Sequence, residues 1–553
     1  MLVALPALLA AWLVYRYGVN VPFWDEWTIA SLLQRIDDGT LTFGALVAQH
    51  NEHRMLVPRA IQLLGALAVG WDTRVGMWLT QGLLVATMGG CIAVWRRTTL
   101  ARDQPWTPLT LAVVSLILFS PAQHQNLFWG FQVCFYIPAA CLLASTLVAS
   151  SLTITLGPAL ASVAALSTVA TFSIFPGFLT WPLGAATVVL VRGLPRRETS
   201  LKWCAWAACC AAVICAYFQG YEPPSTTPSV WAALGDPLTL LTGAAACMGG
   251  ALGIGAQPVK FAIISGAVLT IAFLSLLAAV WRRRSDAALV ASAAPWIVMG
   301  SFGFWTAIAI AIGRVGYGYR AMLESRYTSL TAWTLVGIVM IAATLRDRLG
   351  TLAAARVWSA VGVTALALST IGLPLRLASA RRGYHERLQS LAVYTFAEAA
   401  PRAVPMLPPW LDWPTFRQDL IHIEKSGWRK ARPANPTWVD GDQLRADCEF
   451  GALEFLMSAG PRTMAGGWAY LPALDRPADA ILVTIGPSRR ITVVQPPLIG
   501  RGDIGERFNS DGALVTGWTL ESRGAAPGET MEFWALDVTT LRAYPLCRAE
   551  NAR

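Results

Sequence analysis

Eleven apolar stretches dominate the sequence, at about 2–18, 74–95, 108–121, 134–150, 152–171, 180–192, 203–219, 258–281, 289–312, 326–345 and 355–375. An α-helix rises about 1.5 Å per residue, so about 20 apolar residues cross the hydrocarbon layer of a bilayer. Several of the stretches reach that length and others fall somewhat short. The hydrocarbon layer has no water to satisfy backbone N–H and C=O groups, so runs like these can cross it only as helices. Over 553 residues the chain is 55% hydrophobic and only 14% charged, against about 25% charged in soluble domains. One soluble core cannot use that much apolar sequence. The expected fold is therefore a polytopic α-helical membrane protein with about eleven transmembrane helices.

Basic residues orient the spans. Arg96, Arg97 and Arg102 share one loop, and Arg192, Arg196, Arg197 and Lys202 another; "WRRRSD" (281–286) and "RDR" (346–348) follow. Eleven crossings with the N-terminus cytoplasmic and the C-terminus outside put all of them on the inner face, as the positive-inside rule asks. The net charge of +10 is then a property of these loops and does not point to a nucleic-acid partner. The start of the chain lacks a basic leader and a small-residue cleavage site, and reads as the first span. The stretch 229–254 is apolar, but a crossing there would put "WRRRSD" outside. It is expected as a helix along the outer face.

This orientation gathers the unusual polar and aromatic sequence into outer loops at 19–73, 121–133, 172–180, 219–257 and 313–325. The inner loops are short and basic. Beyond residue 376 the character changes. Residues 377–432 are charged and read as a helical or irregular extracytoplasmic connector. Residues 433–553 show period-two runs such as "AILVTIG" and "MEFWALDV" between Gly, Pro and Asp turns, the pattern of an all-β sandwich. The expected divisions are thus 1–376, 377–432 and 433–553. "GGWAYLP" and "TGWTLES" echo each other within the last part. Cys448 and Cys547 sit near its two ends, and outside the cytoplasm they are expected to form a disulfide. The other eight cysteines lie in or beside apolar segments, as small buried hydrophobes do.

The candidate chemistry begins at "VPFWDEWTIA" (21–30), where Asp25 and Glu26 stand between two tryptophans. Carboxylates beside a helix end are common, and that explains one of them. The flanking rings would partly desolvate the pair, which favours a general base. "QHNEHR" (49–54) adds His50, Asn51, Glu52, His53 and Arg54. His-x-x-His can hold a metal, but two histidines are too few to assign one; no metal ligands are named, and a divalent ion stays open as a cofactor. "GRVGYGYRAMLESRY" (313–327) places Arg314, Arg320, Arg326, Tyr327 and Glu324 on the side where the topology disfavours arginine. Arginine's fork of donors suits phosphate, and Glu324 is expected to pair with one of the three. Gln123, His124, Asn126, Trp129 and Gln132 bring amides and rings that suit a sugar: rings stack on its apolar faces while amides reach its hydroxyls.

On these residues the layout resembles the GT-C superfamily of integral-membrane glycosyltransferases. The matching elements are the acidic pair after the first span, the long amphipathic first outer loop, and an outer soluble domain at the C-terminus. The placement of that domain is similar to the carbohydrate-binding-like domains of mycobacterial arabinosyltransferases. The resemblance implies a bacterial cytoplasmic-membrane enzyme. It would transfer a sugar, with inversion, from a polyprenyl-phosphate donor to a hydroxyl of a lipid, glycan or protein acceptor at the outer face. Asp25 would be the base and Glu26 its helper. Arg314, Arg320, Arg326 and Tyr327 would bind the donor phosphate. His50, Asn51, Glu52, His53 and Arg54, with the 123–132 set, would bind sugar and acceptor. The alternatives are a transporter or flippase of a lipid-linked sugar, an envelope polysaccharide polymerase or ligase, and a glycan-binding assembly protein.

Overall fold

The computed structural model describes residues 2–98, 106–151, 153–225, 227–252, 258–397, 399, 411–430, 432–433, 435–439, 448–459, 462–523 and 529–548. Arg102 and part of the connector (398, 400–410 and 431) lie outside these residues.

The chain is mostly helical. Among the described residues, eight helical stretches are long and apolar enough to cross a membrane. They are Arg74–Thr98, Thr107–Leu127, Gly130–Ser150, Phe175–Arg192, Arg197–Phe218, Val259–Trp281, Ala287–Tyr317 and Ser325–Leu349. A ninth is the pair Leu352–Leu368 and Leu373–Thr395, bent by 43° at the break between them. These are the features of a multi-pass membrane protein. Two of the eleven expected spans are short. The helix Leu5–Tyr17 has 13 residues, with Pro6 in its first turn and Gly18 at its end, and Leu156–Thr171 has 16.

Contact density divides the chain into two compact units. The first holds Met1–Gly18, Leu41–Gly65 and Arg74–Arg381; the second holds Val19–Thr40, Ala66–Thr73 and Arg382–Arg553. This differs from the divisions expected at 376 and 432. The connector forms no unit of its own, and two pieces of the 19–73 segment, Val19–Thr40 and Ala66–Thr73, belong with the C-terminal residues.

Close backbone approach organises the first unit. A Cβ on Gly337 would lie 2.6 Å from the Cα of Gly300, so the helices Ala287–Arg314 and Ser325–Leu349 meet backbone to backbone. Small residues at such crossings let dispersion contacts replace the hydrophobic drive that lipid removes. The apolar stretch expected along the outer face forms two helices, Val230–Gly235 and Pro237–Gly250. The second is packed into the bundle: Gly249 lies on the backbone of Ala262, and Gly266 on that of Ala245, with no room for a Cβ at either glycine. Its sequence "GAAACMGG" suits that approach.

In the second unit the helix Trp27–Asp37 buries Trp27, Ile29, Ala30, Leu32 and Leu33. The ring centroid of Trp27 stands 4.7 Å from Phe416 and 5.9 Å from Trp71. Asp37 accepts hydrogen bonds from Trp428 Nε1 at 2.8 Å and lies 2.8 Å from His422 Nε2. Arg429 donates to Asn20 Oδ1, to the Asn20 and Trp71 carbonyls and to the Tyr394 hydroxyl. An amphipathic helix must cover its apolar face, and these aromatic side chains cover that of Trp27–Asp37.

The β-region has two sheets. One runs Thr437–Trp438, Arg542–Pro545, Met531–Asp537, Ala480–Ile485, Arg490–Gln495. The other runs Cys547–Arg548, Gly451–Ala459, Arg462–Leu471, Arg476–Pro477, with Gly517–Arg523 also paired to Arg462–Leu471. Leu453, Ala465 and Trp518 from one sheet share a core with Ile481, Val483, Phe533 and Ala535 from the other. The two Gly-Trp dipeptides are cross-strand partners: Gly467 faces Trp518 and Trp468 faces Gly517. The disulfide joins Cys448 to Cys547, with Cα atoms 5.4 Å apart. It ties the start of one strand to its parallel neighbour.

Candidate functional site

In the first unit, "QHNEHR" forms a two-residue hairpin of Gln49–His50 and His53–Arg54, turned at Asn51 with φ of 49°. Asparagine tolerates that left-handed backbone better than most residues. The turn directs each side chain differently. Arg54 is buried and donates to the carbonyls of Tyr217 and Gln219, both at 2.5 Å, and of Val47 at 3.0 Å. Its guanidinium is engaged in stitching chain to chain, rather than facing a sugar as its sequence context suggested. His50 is buried edge-on to Phe131, at 5.7 Å between centroids. His53 Nδ1 accepts from the Phe175 amide at 3.4 Å. Asn51 is exposed.

Glu52 makes the most informative contact. Its Oε1 lies 2.5 Å from Nη1 of Arg314 and accepts from Thr227 Oγ1 at 3.0 Å. Glu324 had been the expected arginine partner, but it accepts from Gln125 Nε2 at 3.3 Å. Burial by itself would raise the Glu52 carboxyl. The Arg314 guanidinium beside it reverses this and holds it at about 2. Glu52 is thus an ionised counter-charge and a poor proton acceptor near neutral pH. Tyr217 hydrogen-bonds the Glu52 carbonyl at 3.2 Å, and Tyr327 also acts on Arg314.

The 313–327 segment is less of a loop than its sequence suggests. Arg314 ends the helix Ala287–Arg314, and Arg326 and Tyr327 lie in the first turn of Ser325–Leu349. Arg320 sits exposed in the short 3₁₀ turn Tyr319–Leu323 between them. Arg326 Nε is buried and has no hydrogen-bond partner among the described residues, while its guanidinium carbon is 5.3 Å from the Tyr327 ring centroid.

The 121–127 segment is tied to that same helix start. Asn126 Nδ2 donates to the Arg326 carbonyl at 2.8 Å and to Ser329 Oγ at 2.7 Å, and His124 Nδ1 lies 3.3 Å from Ser325 Oγ. Gln123 is buried between the Leu118 carbonyl and the Tyr136 hydroxyl. Trp129 and Gln132 are buried as well. Two segments read separately in the sequence therefore meet, with Asn126 and His124 of the first bonded to the start of the second.

In the second unit, Asp25 and Glu26 lie on the 3₁₀ turn Trp24–Glu26. Glu26 is only 1% exposed, and its Oε2 accepts from the Phe23 amide at 3.0 Å. Asp25 is half-buried, and its carbonyl accepts from Thr28 Oγ1 at 2.7 Å. Arg387, 4% exposed, holds its guanidinium 3.4 Å over the Phe23 ring and feels the charges of Glu386 and Glu26. Sequence reasoning missed Arg387, which is one charged residue of many in "RRGYHERLQS". It also missed Tyr217 and Thr227 as partners of the hairpin. No local pattern marks them, because their roles come from partners far away along the chain.

Among the described residues, no three His, Cys, Asp or Glu side chains come together as a metal-holding group. No protein-family model, curated protein or solved structure matches the chain.

Proposed function

We propose that this protein is a membrane glycosyltransferase of the GT-C type. It takes a sugar from a polyprenyl-phosphate donor and passes it, with inversion, to an acceptor hydroxyl at the outer face of a bacterial cytoplasmic membrane. The observation that carries the reading is the break between the helices Ala287–Arg314 and Ser325–Leu349. There two arginines, two tyrosines and a carboxylate converge at the ends of helices long enough to cross a membrane. A lipid phosphate leaving a sugar carries growing negative charge, and preorganised guanidinium groups lower the barrier to its departure. Arg326, with a buried Nε lacking a partner among the described residues, is the leading phosphate ligand. Arg314 supplies a second charge, and Glu52 keeps it in place until an anion competes for it. Asp25 is assigned the acceptor proton, and Glu26 the support of the turn that carries it. The Cys448–Cys547 bond supports placing the C-terminal residues in an oxidising compartment outside the cytoplasm, with the N-terminus inside.

The test uses the full chain in nanodiscs with polyprenyl-phosphate glucose, mannose and arabinose as donors. Mass spectrometry follows acceptor-dependent release of polyprenyl phosphate. Release from one donor, abolished in Asp25→Asn with unchanged thermal melting, supports the reading. Donor crossing a vesicle membrane without any release replaces it with a flippase.

A further inference from the structure

Trp24 has φ of 46°. A bulky residue in the left-handed region is an outlier and persists only where its surroundings over-determine it. The surroundings here are specific. Before the strained residue, Phe23 donates its amide to the Glu26 carboxylate at 3.0 Å, which closes the turn on itself. The Phe23 ring lies under the Arg387 guanidinium at 3.4 Å, a cation–π contact. Arg387 and Glu26 are almost fully buried, and the charge of Glu26 acts on Arg387. A buried arginine without a counter-charge is strongly destabilising; Glu386, on the same helix, is the larger charge acting on Arg387, and Glu26 adds to it from the turn. Of the turn residues Trp24, Asp25 and Glu26, the first two remain half-exposed and the third is enclosed.

We propose that Arg387 is a positioning residue. Through Phe23 and Glu26 it locks the strained Trp24–Glu26 turn, so that the Asp25 carboxylate and the Trp24 indole are presented side by side. An indole face next to a carboxylate fits a sugar hydroxyl acceptor: the ring takes the apolar face of the pyranose or furanose while the carboxylate takes the hydroxyl proton. This rests on Asp25 being the base of the proposed transfer. The strain of Trp24 then has a use, since relaxing its backbone would change how the turn presents the indole and the carboxylate.

The test separates the lock from the reaction. Hydrogen exchange by mass spectrometry on the full chain in nanodiscs reads the peptide covering residues 21–28. Arg387→Gln is expected to lower protection there by about tenfold or more while the spans stay protected, and Arg387→Lys to restore most of it. Transfer from the donor panel to methyl glycoside acceptors reads the consequence. Arg387→Gln is expected to lower kcat by roughly tenfold or more with the donor KM little changed, again with rescue by lysine. In the double variant Glu26→Gln, Arg387→Gln the loss should be no worse than in the worse single variant, because both act on one turn. Unchanged exchange at 21–28 overturns the lock. Lost protection with unchanged kcat overturns the positioning role. Full activity of Asp25→Asn overturns the base assignment instead, whatever the exchange shows. If Arg387→Gln does not fold, Glu26→Gln, which keeps an acceptor for the Phe23 amide, carries the same two readouts.

Discussion

Arg192 and Arg314 both end helices of the first unit, and they are held in opposite ways. Phe175, at the start of the stretch Phe175–Arg192, donates to His53, next to Glu52 and hence to Arg314. Arg192 lies 17 residues further along that stretch, about 26 Å away at its other end. There its guanidinium donates to the carbonyls of Ala149, Ile154, Val148 and Ser151. Arg97 reaches the Leu147 carbonyl and Arg348 the Thr98 carbonyl and Ser292. Arg346 stacks between Trp106 and Trp358. Arg97, Arg192 and Arg348 satisfy carbonyls left over where helices end, and releasing one would expose those carbonyls. At the Arg314 end the partner is a side-chain carboxylate, which a second anion can replace without unravelling a helix. A chain can therefore carry arginine at both ends and have exchangeable charge at only one. Arg54, which shares its end with Arg314 but binds carbonyls alone, shows that the partner matters more than the location.

The largest effect that sharpens this contrast is expected from Arg314→Ala. Lipid-phosphate release should fall by about 100-fold; release near the wild-type rate would break the contrast outright. Next is the pH response of Glu52. Its carboxyl is depressed in the folded state, so its contribution is complete above the ordinary carboxylate range and is lost as pH falls toward about 2. Glu52→Gln should remove roughly 2 kcal/mol of acid-sensitive stability, read as a flatter melting temperature below about pH 5. Arg326→Gln should raise the donor KM by about tenfold at unchanged melting temperature. Arg192→Ala should do the reverse, costing about 1–2 kcal/mol of stability with turnover intact; altered turnover would show the carbonyl-bound end to be active too. The smallest effect belongs to exposed Arg320, where alanine should change donor affinity by no more than about threefold, and less in high salt.

The long apolar runs, the period-two C-terminal region and the Cys448–Cys547 bond were legible because each rests on local composition or on simple pairing. The arginine-rich 313–327 segment also stood out, since the expected topology disfavours arginine on that side. Its use did not. That Arg314 meets Glu52 rather than Glu324, ten residues away, depends on a hairpin more than 250 residues upstream. In "QHNEHR" the residue types cannot show which side chain will face Tyr217 and which Arg314, because the turn at Asn51 decides it. The "FWDEW" pair read as a base, Asp25, with Glu26 as its helper, but the residue types could not show that Glu26 would be enclosed and Asp25 half-open.

The sequence by itself determined that this chain must place much of its length in helices able to cross a bilayer, and that a β-region follows, because hydrophobic periodicity acts residue by residue. Only the tertiary structure decided which charges are neutralised, which helix ends meet, and that part of the first loop folds with the C-terminal residues. Those outcomes depend on distances between groups far apart in the chain. Electrostatics and desolvation, which give such groups their chemistry, are functions of distance and burial alone.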